Sequence, residues 1–436
     1  MQLESSSRGY GPVEKLIVWC AHHRTTVVLL AAGVGLTAFF SLRFLELDAI
    51  PDLSDTQVII KAEWMGRSPD LVEDQVTYPI VSALVAMPKT KTVRGFSMYG
   101  MSYVYVVFED GTDIYWARSR VLEYLSRIQG NMPEGVMPTL GPDATGVGWI
   151  FQYALVDETG QRSLADIRAF QDWTLRYWLE SVQGVAEVAS IGGFEKQYQV
   201  NVDPDKLRGR AMSLMHVVDA ARDANSEVGG RVVERGGREY SGVGRGYVKS
   251  PEELATSVVG TDERGTPVLV RDVADVRLGP EMRRGAGDLD GQGETVGGIV
   301  VMRHGENALA VIERVKARLA DVEKGFPKGL KLKIVYDRSG VILDSIATLR
   351  DSIIEEMVVV AITIIIFLLH FRSALVPIIA LPLAALIAFL PMVLLGISSN
   401  IMSLGGIAIA IGAMVDASIV LVENAHKRLE LPPPGV

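Results

Sequence analysis

The sequence predicts an α/β membrane protein: a helical transmembrane bundle of four spans that carries a large α/β region on one face of the bilayer. Three observations predict it. Hydrophobic residues make up 48% of the 436 residues and the mean hydropathy is positive, more apolar character than one soluble core needs. They concentrate in four stretches, near Thr26–Leu42, Ile353–His370, Ala374–Ile397 and Ile401–Val422, each close to the roughly 20 residues that cross a bilayer. Between the first and second stretches, over about residues 45 to 345, strand-like and helix-like runs alternate.

The first stretch reads as a retained anchor, residues 26–44, behind a cytoplasmic segment 1–25. No small-residue cleavage site follows it; the chain runs on through Arg43, Phe44 and the acidic run Glu46 to Asp55. Basic residues favour the cytoplasmic side of a span. Arg8, Lys15 and Arg24 precede the first span, Arg372 lies between the second and third, and Lys427 and Arg428 follow the fourth. This places residues 1–25 and a tail 426–436 in the cytoplasm, with spans at 345–371, 373–397 and 400–425. The long excursion then lies on the opposite face, in a bacterium the periplasm.

Within the excursion, Thr56 to Glu63 reads as a strand, Pro69 to Met87 as a helix, Thr92 to Ser97 and Ser102 to Phe108 as strands, Asp113 to Ile128 as a helix, and Met137 to Leu140 as a short strand. Strand-helix-strand-strand-helix-strand is the split, ferredoxin-like order. This first porter-like subdomain, 45–146, is expected to take a closing strand near 331–336. A second copy is expected over 147–202 and 291–330: a strand at Trp149 to Leu155, a helix at Leu164 to Val182, strands at Val185 to Ser190 and Gln197 to Val202, then a strand at Gly297 to Met302 and a helix at Asn307 to Val322. Residues 203–290, rich in glycine and arginine, read as an inserted subdomain.

Composition excludes several functions. A net charge of -9 argues against nucleic acid, which demands a basic face. The single cysteine, Cys20, allows no intramolecular disulfide, so burial alone must hold the excursion together. No P-loop, paired-histidine zinc motif or nucleophile elbow occurs. Without a nucleotide site, energy for any transport must come from an ion gradient, and proton antiport is the economical reading.

Asp416 is the most informative residue. It lies within the fourth apolar stretch with no basic side chain in the same span, where a carboxylate costs several kcal/mol unless protonated, paired or hydrated. It is therefore a candidate for loading and releasing protons, against the plainer alternative of a structural acid bonded to a neighbouring helix. Glu423 follows seven residues later on the same helical face, either as a further proton relay or as a solvated residue at the membrane surface. Small residues dominate this span, Gly405, Gly406, Ala408, Gly412, Ala413 and Ala417 among them, as in a helix closely approached by neighbours.

Several segments carry a resemblance to a known family. Asp52-Leu-Ser-Asp55, Gln75-Val-Thr-Tyr-Pro79, Val93-Arg-Gly-Phe96, Phe108-Glu-Asp-Gly-Thr-Asp113, Tyr115-Trp-Ala-Arg-Ser-Arg120 and Gly141-Pro-Asp-Ala-Thr-Gly-Val-Gly-Trp149 resemble the periplasmic region of heavy-metal efflux pumps of the resistance-nodulation-division class. The run from Gly405 to Arg428 resembles their fourth transmembrane helix. The resemblance covers nearly all of the chain, and only the first half of such a pump.

It implies that Asp416 is the proton-relay acid of an inner-membrane exporter, a secondary transporter rather than an enzyme, with no resident cofactor. Zinc, cobalt and cadmium pumps carry an extra aspartate six residues before that acid; here the position is Ala410, as in the copper and silver branch. Thioethers are soft ligands suited to Cu(I) and Ag(I), and Met402 and Met414 match positions where that branch lines its ion path, against the plainer alternative of core filler in an apolar helix. Leu421 departs from it, standing where relatives place another methionine. The branch's periplasmic three-methionine cluster belongs to the second half.

Relatives also line the export channel with charged side chains, which makes Arg94 a channel candidate, against the plainer alternative of a solvated or salt-bridged surface charge. The implied partners are the missing carboxy-terminal half, two further copies in a homotrimer contacted through a docking role for the 203–290 insertion, a periplasmic adaptor (membrane fusion protein), an outer-membrane channel, and membrane lipid. The alternatives are a truncated membrane protein that moves nothing and a divalent-cation exporter of the same family.

Overall fold

The computed structural model describes residues 11–262, 264–283, 285–368 and 371–430. Strict alternation in β1 (Gln57–Glu63) turns Val58, Ile60 and Ala62 into a core and their neighbours outward. β1, β2 (Thr90–Met98), β3 (Met101–Phe108) and β4 (Thr139–Leu140) form an antiparallel sheet in the order β2-β3-β1-β4, the ferredoxin-like order expected. The crossover over 69–85 widens into a π-helical turn at Glu73–Thr77 before Tyr78–Val85 resumes. A second helix, Ile114–Ile128, is capped by Asp113, whose carboxylate accepts the Trp116 N–H. Ile80, Leu84, Phe108, Ala117 and Val121 close the core.

A second unit repeats the plan. β5 (Trp149–Asp157) and β6 (Val185–Ile191) open it. An insertion follows, carrying β7 (Lys196–Val202), β8 (Glu227–Arg235), β9 (Arg238–Arg245), β10 (Val258–Thr261), β11 (Pro267–Leu269), β12 (Ala274–Pro280) and β13 (Gly287–Asp288). β14 (Glu294–Met302) and β15 (Leu330–Asp337) complete the unit. Its sheet runs β6-β14-β5-β15, the same order as the first. Its crossover helix also has a π turn, at Gln171–Leu175.

Two expectations about this region are corrected. The strand near 331–336 does not close the first subdomain. It is β15, paired along β5 from Leu330 opposite Asp157 to Asp337 opposite Phe151, because β4 already occupies the free edge of β1 and β15 follows directly on the helix Ala308–Glu323, which packs into the second core. Nor does the strand at Gln197 to Val202 join the second subdomain. As β7 it pairs with β12 over its whole length. Gly192 and Gly193, at φ +71° and +62°, turn the chain out of the sheet after β6. A Cβ at Gly192 would stand 2.0 Å from the Thr295 carbonyl oxygen, so only glycine fits there.

The loop after β5 is organised by one carboxylate. Asp157 accepts the Thr159 hydroxyl at 2.7 Å, the Arg162 backbone N–H at 2.9 Å and the Arg162 guanidinium at 2.7 Å. The Thr159 hydroxyl first, then the Arg162 amide, hold its acid down to about 2. A depressed acid contributes stability that is complete above the unfolded value, near 4, and is lost as pH falls through about 2. The gap in thermal midpoint between the native chain and Asp157→Asn is therefore expected to stay constant above about pH 4 and to close toward pH 2. A gap independent of pH over that range excludes this role for Asp157.

Of the four expected spans, three coincide with helices long and apolar enough to cross a membrane among the described residues: Arg24–Phe44, Ile378–Leu395 and Ile401–Ala425. The stretch expected as the second span belongs to a longer helix, Arg338–Leu368, that starts directly after β15. Asp351, Glu355 and Glu356 run into that stretch, leaving only Met357 to Leu368 free of charge. Leu369 and His370, the end of that span, lie outside the described residues, as do Arg8 and residues 431–436. The long helices pack together through Leu349, Leu381, Leu404, Ile407 and Ile411.

Candidate site on the membrane helices

The helix Ile401–Glu430 carries the sequence-predicted acid, and its start is built with unusual care. Asn400, buried at its N-terminus, accepts the backbone N–H groups of Met402 and Ser403 at 3.0 Å, while the Ser403 hydroxyl accepts the Asn400 N–H at 2.8 Å. This reciprocal cap satisfies donors that no helical carbonyl can reach. The preceding residues are tied to the segment after the first anchor: the Asp48 N–H donates to the Ser399 carbonyl at 3.0 Å, the Ser399 N–H to Glu46 at 2.8 Å, and the Ile401 N–H to Ala49 at 3.2 Å. Leu47 and Ser399 form a parallel bridge.

The same segment reaches the α/β region through a buried ion pair. Asp48 Oδ1 receives Arg338 Nη1 at 3.3 Å, with the side chains 15% and 5% exposed, and Arg338 Nη2 donates to the Trp149 carbonyl at 2.6 Å. Arg338 begins the long helix and Trp149 begins β5. One guanidinium thus joins the segment after the Arg24–Phe44 helix, the second sheet and the long helix, beside the capped start of the acid-bearing helix.

The described chain leaves one whole face of the acid-bearing helix uncovered. Met402, Gly405, Gly406, Ile409, Ala413, Asp416, Val420 and Leu421 are exposed, at helical spacing along one side. Among the described residues, no atom outside the helix's own backbone stands within 4 Å of a Cβ placed on Gly405 or Gly406. Asp416 is on this face rather than buried among these helices, with no hydrogen-bond or ion-pair partner among the described residues. The physical reason lies in the helix itself: Leu404, Ile407, Ile411 and Val422 take the covered side, about a third to half a turn away from Asp416.

The predicted ion-path residues are thereby separated. Met402, 68% exposed, shares the face of Asp416 four turns earlier. Met414 points elsewhere and packs against the cluster around Ile411. Ala410 and Leu421 are exposed. Glu423 returns to the side of Asp416, but its carboxylate is held by Lys427 at 2.6 Å, as an i,i+4 surface pair would be. Arg94 lies far off on β2, exposed and opposite Tyr105 of β3.

Sequence reasoning missed four residues here. The Asn400 cap had a local signal, an Asn three residues before a Ser at the start of an apolar run. Asp48 and Arg338 had none, being 290 residues apart. Glu356 was legible as a charge within a candidate span and was passed over.

The chain is similar to known proteins along nearly its whole length. The model of the AcrB/AcrD/AcrF family matches residues 17–434. The cation efflux system protein CusA of Escherichia coli (strain K12) is 50% identical over 418 residues, 96% of this chain and 40% of its own. The cobalt-zinc-cadmium resistance protein CzcA of Cupriavidus metallidurans is 37% identical over 423 residues, 95% of this chain and 39% of its own. The X-ray crystal structure of a heavy metal efflux pump, crystal form II, superimposes with a TM-score of 0.83 at 31% identity, covering 96% of this chain and 42% of that one. The chain spans about 40% of the length of these relatives.

Proposed function

Since the chain belongs to the AcrB/AcrD/AcrF family, of the resistance-nodulation-division heavy-metal class, we propose that it is the amino-terminal part of a proton-driven inner-membrane exporter of Cu(I) or Ag(I). The observation that carries this is Asp416 on a bare face of a membrane-length helix. A carboxyl there is expensive in lipid, and a face of Gly405, Gly406 and Ala413 accepts another helix at close range. The remaining part of a pump subunit would cover that face and enclose the acid, in a trimer with a periplasmic adaptor and an outer-membrane channel. The apolar end of the Arg338–Leu368 helix would serve as a fourth span, the two ferredoxin-like units as porter subdomains, and the β7 to β12 insertion as a docking subdomain.

For the metal, the reading is supported by 50% identity to CusA against 37% to CzcA and by Ala410 in place of a further acid. A soft, uncharged thioether fits a monovalent soft cation. Met402, on the face of Asp416, is the stronger ion-path residue of this chain; Met414 is the weaker, since packing already accounts for it. Arg94 is the candidate channel charge of the first porter subdomain.

The test is metal flux in inverted membrane vesicles bearing a complete pump that contains this chain. Ag(I) uptake that a protonophore abolishes is expected, with Met402→Leu lowering it roughly ten-fold, the scale of losing one group around a metal, and Met414→Leu leaving it nearly unchanged. Zn(II) transport in place of Ag(I) would favour the divalent exporter, and metal binding without flux would favour a protein that transports nothing.

A further inference from the structure

Glu356 has no part in anything described so far, and its setting is costly. It is half-buried in the Arg338–Leu368 helix, and its Oε2 is shielded from solvent with no hydrogen-bond partner among the described residues. A shielded carboxyl oxygen without a donor is a standing penalty in a fold. Its Oε1 faces the acid-bearing helix, 3.9 Å from where a Cβ on Gly412 would stand. At that distance a Cβ would make ordinary van der Waals contact, so the carboxyl lies just over position 412. Gly412 precedes Asp416 by one turn, about 6 Å along the axis and about 40° around it.

From this placement we infer that Glu356 is a second proton-carrying carboxyl, standing between the α/β side of the bilayer and Asp416. The inference rests on the reading of Asp416 as the proton relay. The Ile401 end of the acid-bearing helix is the end tied to the α/β region, and Gly412 is nearer to it than Asp416. A proton arriving from that side meets Glu356 first. In the transfer, the Glu356 acid gives its proton to the Asp416 carboxylate through intervening water. Glu356 is left as the carboxylate, Asp416 becomes the acid, and hydronium from the α/β side recharges Glu356.

Few other charges compete for that role. On its own helix Arg350 is paired with Asp351 at 2.8 Å, and Glu355 is exposed. The acid-bearing helix offers Asp416 and, farther along, Glu423 held by Lys427. The described side chains of the helix Phe371–Leu395 include no titratable group. The helix Ala308–Glu323 meets the long helix at its first turn, through Lys316 and Ser339.

The experiment reads Ag(I)-driven proton flux in proteoliposomes of the complete pump, with pH varied on the α/β side. Glu356→Gln, a neutral isostere, is expected to lower flux roughly a hundred-fold, the low end for a positioned proton carrier. Glu356→Asp is expected to retain flux with a displaced pH profile, which a purely structural glutamate would not produce. Asp416→Asn, run in parallel, separates the two readings. Flux that survives Asp416→Asn overturns the relay and this inference with it. Flux lost in Asp416→Asn but unchanged in level and pH profile in Glu356→Gln overturns the role of Glu356 alone. Where Glu356→Gln fails to assemble by size-exclusion chromatography, Glu356→Asp and Gly412→Leu, which fills the space beside the carboxyl, decide instead. An unchanged pH profile in both overturns the inference.

Discussion

Asp416→Asn, placed in a complete pump that contains this chain, is expected to lower proton-driven Ag(I) efflux by roughly a hundred- to ten-thousand-fold while leaving the protein folded. The two halves of that expectation come from different observations. The loss follows from chemistry: asparagine has the shape of aspartate but cannot bind and release a proton, and an intramembrane acid has few substitutes. The retained fold follows from geometry. Asp416 accepts no hydrogen bond and forms no ion pair among the described residues, so its replacement by an isostere breaks no contact of this chain. Efflux that persists in the variant, with its sensitivity to a protonophore intact, removes Asp416 from the mechanism. A collapsed, aggregated variant would instead point to a structural acid.

The second large effect is expected at the buried pair that joins the membrane helices to the α/β region. Arg338→Met should destabilise the protein by about 3–5 kcal/mol, because it leaves the Asp48 carboxylate buried without its counter-charge. Arg338 also donates to the Trp149 carbonyl at 2.6 Å, so that oxygen loses its charged donor as well. Asp48→Asn combined with Arg338→Met removes both charges, and the double variant is expected to recover a coupling energy on the order of 1–3 kcal/mol relative to the sum of the single changes. Thermal and denaturant unfolding in detergent measure all three. Additive losses would mean that the two side chains do not act as a pair. The pair matters to function through its position: Asp48 is hydrogen-bonded through its backbone to Ser399, at the capped start of the helix that carries Asp416. Motion of that helix has a short, rigid route to β5 and the second sheet.

The local architecture was written in the sequence to a large degree. Alternating strand-like and helix-like runs from Thr56 to Leu140 marked the succession of elements in the first ferredoxin-like unit, while the strand expected to close it near 331–336 went to the second. Apolar length marked the helices Arg24–Phe44, Ile378–Leu395 and Ile401–Ala425, and a charge within one of them marked Asp416. The reading weakened where a local signal had two outcomes. Glu355 and Glu356 blurred the second span, because a helix that starts in an aqueous region and runs into an apolar stretch lacks a sharp edge in composition. Gln197 to Val202 has a strand's pattern, and that pattern is equally content beside β6 or β12.

By itself, then, the sequence determined which residues are helix or strand, which stretches are apolar enough for lipid, and that one acid lies within such a stretch. Those are properties of short windows, since the periods of 2 and 3.6 residues and the cost of a charge in oil act over neighbouring positions. Only the tertiary structure decided the partners. It gave β15 to β5 and β7 to β12, joined Asp48 to Arg338, set Glu356 against Gly412, and placed Met402 beside Asp416 while turning Met414 into the packing. Pairing of this kind depends on which edges and faces remain free once distant segments have come together, and no short window contains that information.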